Sequence, residues 1–122
     1  MMFELLFVCK EGLNRSSAGA RFFNRWLERD GLTQYRASSC GALATVPDRC
    51  IRAGVVEDAY RIIALDNLVA NSLLKNFDGI ACKMIRMSVP DVYHRDDPED
   101  LQSLETYFSR LYARKNLWMA RL

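Results

Sequence analysis

The sequence is poor in the residues that build metal or disulfide scaffolds. There is one histidine, His94, and the four cysteines (Cys9, Cys40, Cys50 and Cys82) include no Cys-x-x-Cys pair. That spacing argues against a zinc site, and a chain that is 50% hydrophobic has enough apolar material for a core without disulfide staples. Charge of one sign is also missing. Seventeen basic against 15 acidic residues give a net charge of +2, which offers no argument for nucleic-acid binding or an anionic membrane. No apolar run is long enough to span a bilayer. The first residues lack a basic leader and Glu4 interrupts their apolar run, so they do not read as a signal peptide. No metal or cofactor is called for, and a cytoplasmic, reducing setting is expected. At 122 residues the chain reads as one domain, 1–122, without linkers, internal repeats or low-complexity segments.

What is present begins at Cys9-Lys10-Glu11-Gly12-Leu13-Asn14-Arg15-Ser16. The apolar stretch Phe3 to Val8 before it predicts a strand, and Ser16 to Asp30 after it predicts a helix with Gly31 as its stop. A strand, a tight loop and a helix place unsatisfied amide N–H groups and the positive end of a helix dipole at the loop, which suits an anion. The loop opens with a thiol and closes with a guanidinium. A thiol attacks as its thiolate, which a helix N-terminus and a nearby Arg stabilise, and the planar Arg fork matches two oxygens of a phosphate. The stretch is suited to hold a phosphoryl group against a sulfur. A buried structural cysteine beside an ordinary helix start is the plain alternative.

Downstream, helices and strands alternate. Phe22, Phe23, Trp26 and Leu27 form the apolar side of the first helix. Thr33 to Ser39 predicts a second strand closed by Gly41, and Pro47 to Glu57 a short helix. Asp58 to Asp66 predicts a buried strand with acidic flanks. Asn67 to Asn76 predicts a helix with Leu68, Val69, Leu73 and Leu74 inward, and Lys83 to Met87 a fourth strand. The polar segment 88–100 is a loop. It ends in a strong helix start: Asp97 as N-cap, Pro98 in the first turn, Glu99 and Asp100 on the dipole, then Leu101, Leu104, Phe108 and Leu111 in one stripe. Residues 116–122 are ambiguous. The expected architecture is an α/β three-layer domain, a four-stranded parallel sheet with helices on both faces and the phosphate-binding loop after the first strand. Ligands of such sheets sit at the carboxyl ends of the strands, where Cys9 and Asp91 both arrive.

Cys-x5-Arg followed by Ser, on a strand that opens the chain, resembles the low-molecular-weight protein tyrosine phosphatases. Ser39-Cys40-Gly41 resembles the Ser-Ala-Gly that closes their second strand, Asp58 to Asp66 their third strand, and Val89-Pro90-Asp91-Val92-Tyr93 their acid loop. The resemblance covers roughly residues 3 to 112 and marks a short, divergent member. It implies a metal-free phosphatase acting on phosphotyrosine-type monoesters through a phosphocysteine intermediate. Cys9 would be the nucleophile and Asp91 the general acid. Arg15 with the loop residues Lys10, Glu11, Gly12, Leu13, Asn14 and Ser16 would bind the phosphate, and the Ser16 hydroxyl would also support the thiolate. Helix capping is the plainer role for Ser16. Leu13 and Tyr93 would flank an aromatic substrate, with His94 near the mouth, although a lone His in a polar loop is usually just exposed. The partner implied is a phosphorylated protein or a small aromatic phosphate, acted on by a monomer or weak dimer.

Several residues depart from the family pattern. Gly12 stands in place of an Asn, Asn14 in place of a second Cys, Ser17 in place of a Pro, Ala20 in place of a helix Glu, and Val92 in place of the acid-loop Pro. Glu11 adds a negative charge that opposes thiolate and phosphate unless it points outward. Three further readings stay open. An arsenate reductase shares this loop, but needs two further cysteines close together on a mobile segment. A catalytically weak phosphate- or phosphotyrosine-binding module is compatible with Glu11 and Gly12. A sugar-transport phosphocarrier would not need Arg15.

Overall fold

The computed structural model describes residues 2–120. In chain order it contains β1 (Phe3–Cys9), α1 (Arg15–Arg29), β2 (Tyr35–Gly41), α2 (Ala53–Asp58), β3 (Arg61–Ala64), α3 (Asn67–Asn76), β4 (Met84–Arg86), α4 (Pro98–Ala113) and α5 (Lys115–Trp118), with a 3₁₀ turn at Ala81–Lys83. The four strands form one sheet in the order β2-β1-β3-β4, every pair parallel. All four therefore end at the same edge. β1 lies inside the sheet, and Leu5 to Cys9 are buried on both faces, which explains why its sequence is a continuous apolar run rather than an alternating one.

The faces of β1 divide the core. Leu5, Phe7 and Cys9 join Phe22, Phe23, Trp26, Leu104, Phe108 and Leu111 under α1 and α4. Leu6 and Val8 join Cys40, Val56, Ile62, Val69, Ala70 and Leu73 under α2 and α3. The α1–α4 side is strongly aromatic: Phe7 meets Phe23 and Phe108 edge to face, and Phe23 meets Tyr112 and Trp118 in the same way. Trp118 is fully buried and its indole N–H donates to the Tyr112 carbonyl, so the ambiguous tail is a short helix sealing this layer. Residues 121 and 122 lie outside the described residues. No described helix is long and apolar enough to cross a membrane.

The α/β class, the four strands, the parallel sheet and the helices on both faces agree with the sequence reading. Asp97 caps α4 by accepting from Glu99 N–H and Asp100 N–H, with Pro98 in the first turn. Four details differ. The strand expected over Asp58 to Asp66 is confined to Arg61–Ala64, because Asp58 ends α2 and Asp66 caps α3. β2 runs from Tyr35 to Gly41, two residues later than its apolar pattern suggested. The helix expected from Pro47 begins only at Ala53, because 46–51 is tied to the end of β2: Gly41 N–H donates to Arg49 O, Ile51 N–H to Gly41 O, and Gly41 and Cys50 form a parallel bridge. Leu68, expected inward, is 64% exposed in the first turn of α3, which buries Val69, Ala70 and Leu73 instead.

Candidate active site

β1 delivers Cys9 to the carboxyl edge of the sheet, and α1 starts six residues later at Arg15. Between them the chain turns through Gly12, whose φ is +69°. A side chain there would be strained, and it would also collide: a Cβ on Gly12 would lie 2.6 Å from Gly41 N and 2.7 Å from Cys40 C. A Cβ on Gly41 would lie 2.3 Å from Glu11 C. Two glycines therefore pack backbone to backbone, and the end of β2 serves as the floor of the loop. Ala42 N–H donating to Cys9 O and Leu43 N–H donating to Lys10 O extend that floor. This folding turns the Gly12 amide onto the sulfur, with Gly12 N–H donating to Cys9 Sγ at 3.2 Å. The Cys9 side chain is on the α1 face and nearly sealed, at 3% exposure.

Ser16 Oγ lies 3.0 Å from Cys9 Sγ and 3.4 Å from Cys40 O. Its single proton suits one of these acceptors at a time, and a thiolate takes it. Ser16 is fully buried and does not cap α1. The N-cap is Asn14, whose side chain makes no capping bond and instead accepts from Arg95 N–H at 3.2 Å. The β1–α1 loop is thereby pinned to the loop that carries Asp91. Glu11 is exposed to solvent, which screens its charge, and its carbonyl accepts from Arg49 Nε.

Arg15 is 1% exposed in spite of its charge. Nη1 donates to Asp66 Oδ2 at 2.7 Å and to Val89 O at 2.8 Å, using both of its hydrogens. Asp91 Oδ1 lies 3.4 Å from Nε. Among the described residues Nε has only this ion pair with the exposed Asp91 and Nη2 has no hydrogen-bond partner, and a tetrahedral anion fits that edge with two parallel contacts. Asp66 also caps α3, Oδ1 accepting from Val69 N–H at 2.8 Å. Burial works against its charge, but the Val69 amide and the Arg15 guanidinium outweigh it and hold the carboxyl below the usual carboxylate range. Asp66 was visible in sequence only as the acid ending an apolar run. Its meeting with Arg15, 51 residues away, follows from all strands ending at one edge.

The remaining candidates lie in the β4–α4 connection. Asp91 is 58% exposed beside the Arg15 fork. Tyr93 is half-buried and packs at 6.1 Å from the Tyr107 ring, whose hydroxyl pushes the Tyr93 phenol upward. His94 is exposed and its Nδ1 accepts from Asp96 N–H, a contact internal to the loop. Leu13 is half-buried within the β1–α1 loop. Cys40 belongs to the core on the far face from Cys9, even though β1 and β2 are neighbours. Burial first, and the Cys9 and Cys50 thiols second, push its thiol up to about 12. Cys82 is exposed beyond α3. Cys9, Arg15, Ser16 and Asp91 thus converge, while Cys40, Cys82 and His94 stand outside the cluster.

No family model matches the sequence, and none of the curated proteins matches it. Solved structures do match over nearly the whole chain. YfkJ from Bacillus subtilis superposes with a TM-score of 0.76 at 20% identity, covering 98% of each chain. A low-molecular-weight protein tyrosine phosphatase from T. tengcongensis gives 0.76 at 18% identity, over 92% of this chain and 99% of that one. The YwlE arginine phosphatase from Geobacillus stearothermophilus gives 0.68 at 16% identity, over 98% and 99%. With its four parallel strands, its loop at the end of β1 and these superpositions, the chain has the fold of the low-molecular-weight protein tyrosine phosphatases.

Proposed function

We propose that this protein is a phosphatase that hydrolyses phosphotyrosine-type phosphomonoesters through a phosphocysteine. The observation that carries the reading is the division of labour on Arg15: Nη1 is anchored by Asp66 and Val89, Nε is paired only with the exposed Asp91, and Cys9 at the other end of the same loop has its sulfur held by Gly12 N–H and Ser16 Oγ. The phosphate sits in the loop, its oxygens on that edge and on the loop amides. The Cys9 thiolate attacks phosphorus opposite the ester oxygen, forming the S–P bond as the P–O bond breaks, and Asp91 gives its proton to the departing phenolate. Water then attacks phosphorus, Asp91 takes its proton, and the S–P bond breaks to release phosphate and thiolate. Gly12 N–H and Ser16 Oγ stabilise the sulfur anion at both ends of this cycle.

Leu13 and Tyr93 offer apolar walls to a phenyl ring, which favours phosphotyrosine over phosphoarginine, the substrate class suggested by the name of the YwlE arginine phosphatase. A reductase relay is disfavoured because Cys40 sits on the opposite face of the sheet. The test is turnover of aryl phosphates of graded phenol acidity. Cys9→Ser should abolish it, and Asp91→Asn should slow the poorest leaving groups about 100- to 10,000-fold, with a smaller loss for acidic phenols. A uniform loss across the series would remove Asp91 from the acid role. Faster turnover of phosphoarginine than of phosphotyrosine peptides would overturn the substrate class.

A further inference from the structure

Among the described residues, seven large hydrophobic side chains are exposed, and four of them, Leu43, Val46, Leu68 and Val92, lie in the connections that follow β2, β3 and β4. These connections share the edge of the sheet where β1 delivers Cys9. Three of the four are tied to the phosphate-binding loop through a neighbour. Leu43 donates its own amide to Lys10 O at 2.9 Å. Leu68 is two residues beyond Asp66, which holds Arg15. Val92 follows Asp91, which lies 3.4 Å from Arg15 Nε. Their exposures are 51%, 64% and 75%. Scattered apolar side chains on a surface need no explanation, but a set carried by the connections that hold one anion-site loop does. None of the three connections needs these residues for its own packing. α3, for example, buries Val69, Ala70 and Leu73 while Leu68 faces out.

We propose that this apolar rim binds apolar side chains flanking the phosphorylated residue of a protein substrate; the inference rests on the phosphatase reading above and names its substrate as an apolar-flanked phosphopeptide segment. A single phenyl phosphate held between Leu13 and Tyr93 does not extend to Leu43 and Leu68, which two other connections carry. An extended segment does, because side chains on both sides of the phosphoresidue sweep outward over the rim. The exposed Lys10, Glu11 and Asp91 put charges of both signs on the same edge, which fits the mixed surface of a folded or extended protein better than an anionic lipid surface. The rim acts on binding, so it is read in KM and not in the chemical step.

The experiment uses two phosphotyrosine peptides of equal length, one flanked by Leu and Val and the other by Ser and Gln, together with p-nitrophenyl phosphate. The enzymes are the wild type and the Leu43→Ser, Leu68→Ser and double variants, all exposed positions where a polar side chain leaves folding intact. The wild type should prefer the apolar-flanked peptide about tenfold or more in kcat/KM, through KM. Each substitution should remove about three- to tenfold of that preference, as partial cover of a Leu side chain implies, with kcat on p-nitrophenyl phosphate unchanged. Equal kcat/KM for the two peptides, or a preference that survives in the double variant, overturns the inference. So does concentration-dependent dimerisation that the double variant abolishes, since the rim would then be a self-association face. Failure to turn over any aryl phosphate counts against the phosphatase reading alone. In that case peptide binding by fluorescence anisotropy decides the rim: tighter binding of the apolar-flanked peptide, lost in the double variant, supports it, and equal binding sinks it.

Discussion

Asp66→Asn isolates the charge that holds Arg15 in place. Asn caps a helix as well as Asp, so the bond to Val69 N–H survives, and the change leaves a guanidinium at 1% exposure without its full negative partner. Removing one member of a buried ion pair costs about 3–5 kcal/mol. Asp66 is 29% exposed, so solvent screens part of the loss, and Val89 O still accepts from Nη1. About 2 kcal/mol is expected, which for a chain of this size is about 8 °C in Tm. Asp66→Ala removes the cap as well and should cost about 1 kcal/mol more. The assay is urea unfolding followed by Trp fluorescence at neutral pH and in steps below it. Because the folded carboxyl is held below its ordinary range, its contribution is complete above that range and is lost as pH falls through the folded value. The gap between wild type and Asp66→Asn should therefore close on acidification, below about pH 4. A gap under about 0.5 kcal/mol at neutral pH, or one that ignores pH, would refute the assignment of Asp66 as the anchor of Arg15.

Four further outcomes are expected. Gly12→Ala should destabilise by about 3 kcal/mol or more in the same unfolding assay, combining a strained φ with a backbone collision against Gly41; a wild-type midpoint would mean the loop has another shape. Trp118→Ala should cost about 3–5 kcal/mol, since it empties a fully buried site between Phe23, Tyr35 and Tyr112. In native thiol labelling Cys82 should react at once, whereas Cys40, buried and pushed up to about 12, should react only on unfolding; labelling of Cys40 in the first phase would contradict its burial. Asp97→Asn should leave the unfolding midpoint nearly unchanged and Asp97→Ala should lower stability by about 1 kcal/mol, because the residue accepts two amides at the start of α4.

What could be read from the sequence was whatever is local in the chain. Asp97-Pro98-Glu99-Asp100 specifies a helix start within four residues, and α4 begins there. The apolar run of β1 and the loop that follows it were equally explicit, and Cys9, Arg15 and Asp91 do arrive at one edge. The segment after β2 was misread because Pro47 offers a helix start in isolation. The hydrogen bonds that hold 46–51 against Gly41 come from another strand, and they win over local propensity. Leu68 was misplaced because an apolar residue in the first turn fits the helical period about as well inward as outward, and only the sheet decides. Asp66 and Gly41 were hidden for a related reason. Each matters through a partner far along the chain, and parallel strand order is what introduces them.

The contact between Gly12 and Gly41 bears on how far the loop between β1 and α1 can be treated as a unit of its own. The eight residues from Cys9 to Ser16 do not contain the information for their own shape, because the surface they rest on is the last peptide of β2. Transplanting those residues alone onto another strand and helix would leave the Gly12 turn unsupported and the amide at Cys9 Sγ free to swing away. A transferable version would have to carry a neighbouring parallel strand ending in glycine, in the register that sets Cys9 opposite Gly41. Engineering an anion site of this kind is a problem of two strands, however short the motif that advertises it.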